Sequence, residues 1–144
     1  MTAKEYLKQM WLIDKEINEK FSQLEYLRAK AESCHSPKLT GMPGGSGPKD
    51  RVSDLVIKIA ELQKYLDEQT DKLINLKTKI TKQIHGLKSQ RSRVILEARY
   101  LRDEEGRKWE RIEEDLHYEH STLMKAHRKA LKDFERRYPK IRRL

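Results

Sequence analysis

The sequence predicts an all-α fold: a long N-terminal antiparallel helical hairpin, coiled-coil-like in its packing, followed by three short helices. Three observations carry this. Apolar residues make up 36% of the 144, and charged residues 38%, against a usual charged share of about 25%. So few apolar side chains fill thin seams between helices rather than a thick core. Two long runs with apolar residues three and four apart flank a Pro/Gly-rich stretch. Beyond Gly86 the long periodicity gives way to short amphipathic segments.

The first helix is expected over about residues 2–32. Thr2 and Glu5 in "TAKEYL" have capping-box spacing, each reaching a backbone N–H of the other. Tyr6, Met10, Ile13, Ile17, Leu24, Leu27 and Ala31 follow steps of three and four, with Lys20 the one polar entry. Leu7, Trp11 and Phe21 widen the stripe. "SCHSPKLTGMPGGSGPKD" follows, whose prolines and glycines do not sustain a helix. A flexible linker is expected at 33–50.

The second helix is expected from near Val52, capped by Asp50 or Ser53. Leu55, Ile59, Leu62, Leu66, Leu73, Leu76, Ile80 and Leu87 keep the spacing over about five heptads, interrupted by Gln69 and Gln83. Folding back of the first helix on the second is the simplest arrangement. Pairing of one long helix with another chain is the alternative. The hairpin is expected to occupy residues 1–88.

Residues 89–141 are expected to form a second domain. "RSRVILEARYL" is a short helix with Val94, Ala98 and Leu101 on one face and Ile95 beside them. "RDEEG" breaks it at Gly106. "KWERIEEDL" is another, with Trp109, Ile112 and Leu116 at helical spacing. "HYEH" is a tight turn before a helix from Ser121 to Arg137. Short helices joined by brief turns fit a helix-turn-helix. Leu123, Ala126, Ala130, Leu131 and Phe134 make the inner stripe of the last helix, expected to pack on Trp109, Ile112 and Leu101.

Charge points to a partner. The formal net charge is +9, which favours an anionic partner, most often nucleic acid. Asp103–Glu119 holds 8 acids and 3 bases, whereas Ser121 to Leu144 holds 9 bases and 2 acids. Ser121, Thr122, Lys125, Arg128, Lys129 and Lys132 share the outer face of the last helix, with no acid among them. Lysine and arginine there release counterions from phosphates, and Arg128 suits a bidentate contact to guanine. The terminal "RRYPKIRRL" is expected either to touch phosphate or to fray.

The run "LEARYLRDEEGRKWERIEEDLHYEHSTLMKAHRKAL" resembles region four of bacterial sigma factors, in its arginine-tyrosine-leucine helix, its aromatic before the second helix and its tyrosine-led turn. Nearly the whole chain is similar to a family of small phage proteins from Gram-positive hosts. These open with "TAKEYL", carry a Pro/Gly linker and end in a sigma-like helix-turn-helix, in the style of ArpU-type and RinA-type regulators of late genes. The resemblance implies a sequence-specific DNA-binding transcription regulator, dimeric through its N-terminal helices, with RNA polymerase as a further partner through Glu110–Asp115. The family pattern has glycine and serine in the turn where this chain has His117 and Glu119. His117 is therefore expected at positive φ, and the helix cap is expected to shift from Glu119 to Ser121. Glu113 replaces a favoured alanine.

Other functions have less support. A coiled-coil interaction protein, or the DNA-binding small subunit of a phage packaging terminase, is the alternative. "GMPGGSG" follows no strand and lacks the ending of a phosphate loop. Cys34 and His35 lie in the linker, and the single cysteine excludes a disulfide within the chain. His117, His120 and His127 have no carboxylate completing a metal set. No enzyme activity, cofactor or metal is expected. Without a signal-peptide core or a long apolar run, the chain is expected in the bacterial host cytoplasm, off the membrane.

Overall fold

A computed structural model describes residues 1–34 and 47–144. Among them are five α-helices: α1 (Ala3–Cys34), α2 (Gly47–His85), α3 (Gln90–Leu96), α4 (Trp109–Leu116) and α5 (His120–Arg137). A π-helical turn, Glu97–Leu101, continues α3, and a 3-10 turn, Pro139–Arg143, follows α5. No helix among the described residues is long and apolar enough to cross a membrane.

α1 starts on the expected capping box. Glu5 N–H donates to Thr2 Oγ1 at 3.2 Å, and Thr2 N–H donates to Glu5 Oε2 at 2.8 Å. Those bonds hold the Glu5 carboxyl below the usual carboxylate range. α2 begins at Gly47, so Asp50 and Ser53 lie inside it rather than capping it. The ends of the expected linker, 33–34 and 47–50, are thus helical, while 35–46, with most of "GMPGGSG", lie outside the described residues.

The chain forms two compact units: Ile13–Lys72, and Met1–Leu12 with Leu73–Leu144. In the first, α1 and α2 run antiparallel as a helical hairpin. Leu24, Ala31, Leu55 and Leu66 are buried along its seam. Tyr65 donates to Glu16, and Arg28 Nη2 donates to Gln63 Oε1 at 2.8 Å. Phe21, expected to widen the stripe, is instead 49% exposed, as are Tyr26, Val56 and Ile57 to similar degrees. The seam between two helices is only one stripe wide, so residues beside it remain in water.

The second unit gathers the first turns of α1, the last turns of α2 and everything beyond. Its main core joins Tyr6, Leu7, Ile80, Ile84, Leu96 and Phe134. Gln83, a polar interruption of the seam, is put to use. Its side chain accepts from Tyr6 Oη at 2.8 Å and its carbonyl from Tyr138 Oη at 2.7 Å. Gly86 gives the chain its exit from α2, where a Cβ would collide with the Tyr138 hydroxyl. Ile141 is buried and Arg142 pairs with Glu135 at 2.7 Å, so the basic terminus docks instead of fraying.

A smaller core joins Ile95, Ala98, Ile112 and Leu123, with Trp109, Leu116, Tyr118 and Ala126 against it. The spacing of α3 predicts Val94 on the inner face, but Val94 is 38% exposed and Ile95 takes that place. Because the helix widens to a π-turn at Glu97, a uniform α-helical wheel misplaces faces along this segment.

Between α4 and α5 the turn is three residues long. His117 has φ 57° and ψ 44°, as expected for the position of a glycine, and its N–H bonds to the Glu113 carbonyl. The cap does not shift to Ser121: Glu119 remains the N-cap of α5, with no side-chain bond to the helix. His117→Gly is expected to raise stability by about 0.5–1 kcal/mol by relieving the left-handed backbone. A urea midpoint that falls in the variant would show that the imidazole contributes more than the strain costs.

Candidate nucleic-acid interface

α5 is held from one side. Leu123, His127, Ala130 and Phe134 are buried along it. Leu123 and Ala126 meet Trp109, Ile112 and Leu116 of α4, as the sequence pattern requires. Ala130, Leu131 and Phe134 instead join the larger core, together with Leu101. The inner stripe therefore anchors α5 in two places.

The opposite side is free. Ser121, Thr122, Lys125, Arg128, Lys129 and Lys132 are all exposed. None of the four cations has a carboxylate within 4.0 Å among the described residues. Fixed on a buried spine, they form a face of one sign whose charge is not offset by internal ion pairs.

Sequence reasoning missed the neighbours of this face. Ser89, Arg91 and Ser92 at the start of α3 line a shallow groove with Thr122, Lys125 and Lys129. Lys88, Arg136 and Arg137 border an adjoining depression. Arg91 is held over the Tyr118 ring, 5.0 Å from its centroid. Ser89 caps α3 by accepting from Ser92 N–H at 3.3 Å. Ser92 Oγ donates to Asp133 Oδ2 at 2.8 Å, which ties α3 to α5 and engages the one acid in the adjoining depression. A sequence signal did exist: α3 and α5 both lack an acid in their first turns. Helix N-termini carry partial positive charge and ordinarily attract acids.

Acids lie elsewhere. Asp115 on α4 pairs with Arg102 at 2.6 Å and Arg111 at 3.5 Å. Glu113 accepts from His120 Nδ1 at 2.6 Å, bracing the turn from α4 to α5. Glu119 stays exposed at the N-cap of α5.

The three histidines do not converge. His117 caps α4, His120 meets Glu113, and His127 points inward to Tyr100. His127 Nε2 and Tyr100 Oη are hydrogen-bonded at 2.8 Å, and the imidazole packs edge-on to Trp109 at 4.8 Å. Burial, then the charges of Arg99, Lys4 and Lys8, push the His127 pKa down to about 4. Burial pushes the Tyr100 phenol up to about 12. Both groups are neutral at pH 7.

No curated protein and no solved structure matches the chain. A family model described as "Protein of unknown function (DUF1492)" matches residues 33–135, more than half of the chain, which therefore belongs to that family.

Proposed function

We propose that the chain is a sequence-specific DNA-binding transcription regulator of phage or prophage origin. α4 and α5 act as a sigma region-four-like helix-turn-helix. The observation that carries this reading is the acid-free, exposed face of α5, with its inner side anchored in two cores. Ser121 and Thr122 stand at the N-terminal end of α5, where a recognition helix approaches base edges and phosphates. Arg128 is assigned to a base edge, and Lys125, Lys129 and Lys132 to phosphates. Ser89 and Arg91 extend the phosphate contacts onto α3. The acidic side of α4 faces away from the duplex and is assigned to polymerase.

Binding to a promoter region of the source genome, measured at two salt concentrations, tests this. Arg128→Ala is expected to cost about 10- to 100-fold on the preferred site and much less on other sequences. Lys125→Ala is expected to weaken all sequences alike and to reduce the salt slope by about one. Undetectable binding at low salt overturns the reading.

Exposure of Phe21, Tyr26, Val56 and Ile57 on the hairpin favours self-association as well. We assign the hairpin to dimerisation, with half-sites spaced by one helical turn or a multiple. A solution mass of eight or more subunits would move the assignment to a packaging-terminase small subunit. A stable dimer without DNA affinity would leave only the interaction protein.

A further inference from the structure

Both tryptophans of the chain belong to one cluster, built around Tyr100 and the buried His127 of α5. Trp11 on α1 stacks on Tyr100 at 5.3 Å. Three cations crowd its indole: the Arg107 guanidinium carbon is 4.5 Å from a ring centroid, that of Arg99 5.0 Å, and Lys8 Nζ 5.5 Å. Arg99 also lies 4.1 Å from Trp109. Lys4, one turn before Lys8, adds a fourth charge that both Lys8 and His127 feel.

Such a cluster is costly alone. Burial depresses the basicity of Arg99 and of Lys8, and like charges depress each further, Arg107 acting on Arg99, and Lys4 and Arg99 acting on Lys8. None of the four cations has a carboxylate within 4.0 Å among the described residues. Among the described residues Arg99 donates only to the Arg107 carbonyl. Among the nearby acids, Asp103 accepts from Gly106 N–H and Glu105 pairs with Lys108, while Glu104 stays exposed. Glu110 reaches Arg99 only as its weakest influence. Aromatic faces compensate part of the charge, yet partly desolvated cations are ordinarily paired.

We propose that Lys4, Lys8, Arg99 and Arg107 form a second anion site that takes a phosphate-type oxyanion. Two guanidinium forks match the geometry of a tetrahedral oxyanion. Four positive charges suit a phosphate better than a single carboxylate, which would leave most of the repulsion in place. The oxyanion comes either from a small phosphorylated molecule or from a nucleic-acid backbone. This site is separate from the α5 face and does not depend on its reading.

Because the chain has two tryptophans and both line the cluster, intrinsic fluorescence of the full chain reports the site directly. Inorganic pyrophosphate is titrated at constant ionic strength, with chloride as control, and a mixed-sequence duplex in a second arm. A saturable change with pyrophosphate assigns a free phosphorylated ligand. A change with duplex alone, retained in Arg128→Ala, assigns the backbone. In either case Lys8→Gln and Arg107→Gln are expected to weaken the response about tenfold each, with Arg107→Lys keeping most of it. Circular dichroism confirms that the variants fold. If both probes act only as chloride does, or if the glutamine variants titrate like the parent chain, the site does not exist. Since the pyrophosphate arm contains no DNA, failure of the α5 reading leaves its result intact.

Discussion

Phe134→Ala is expected to destabilise the unit containing α5 by about 3–5 kcal/mol, the range for removing a large aromatic from a packed core. Phe134 is fully buried, with its ring 6.1 Å from that of Tyr6 and 5.0 Å from that of Tyr138. Its loss opens a cavity where α1, α2 and α5 meet. The Tyr138–Gln83 bond beside it then lacks the packing that aims the phenol. Because Phe134 anchors the C-terminal half of α5, on the proposed function the variant is also expected to bind DNA more weakly, although no residue of the exposed basic face is changed. Urea unfolding followed by circular dichroism measures the first effect. A loss below about 1.5 kcal/mol would mean that the ring is not held in a close-packed environment.

How far such anchors were legible in the sequence depends on what kind of information each required. Local patterns carried through. The Thr2–Glu5 box, the seams of α1 and α2, the positive φ of His117 and the two-faced character of α5 all follow from residues a few positions apart. What the periodicity withheld was the identity of the partner across each face. α5 has 18 residues and spans about 27 Å, whereas the 8 residues of α4 cover only about 12 Å at 1.5 Å per residue. Leu131 and Phe134 therefore run past α4 and pack against the first turns of α1 and the last turns of α2. A helical wheel shows an apolar face but not its neighbour.

The same limit explains the candidate sites. The six exposed positions proposed to meet DNA share one helix face, so spacing alone grouped them. Arg91 and Ser89 reach that face only because α3 packs along α5. Lys4 and Arg99 are far apart in sequence, and the π-turn that carries Arg99 leaves no compositional mark. Each of these cations reads as an ordinary surface charge until the chain is folded. Glu119 shows the reverse case: its departure from a capping residue was plain, but the cap stayed in place because the adjoining backbone, through Leu123 N–H to Glu119 O at 2.9 Å, still starts the helix there.

Stability is expected to fall as pH drops from about 6.5 to about 4, through His127. In the folded chain its pKa is lowered to about 4, first by burial and then by Arg99, Lys4 and Lys8. In the unfolded chain an imidazole titrates near 6.5. Above pH 6.5 both states hold it neutral and the native state keeps its full advantage. Between 6.5 and 4 the unfolded state takes up a proton that the folded state refuses, so acid favours unfolding, by a total on the order of 3 kcal/mol at pH 4. Glu5 and Glu135 add acid sensitivity of their own, because both carboxyls are lowered in the fold. The His127 contribution is isolated by comparison with His127→Gln, which keeps a polar group near Tyr100 but does not titrate. Urea midpoints measured from pH 4 to 7 are expected to decline more steeply in the parent chain than in the variant, and parallel slopes would show that His127 is protonated in the fold as readily as in the open chain. The anion site gives the measurement a second use: an oxyanion beside Arg99 and Lys8 cancels part of the field on His127, so pyrophosphate is expected to narrow the difference in slope between the parent chain and the glutamine variant.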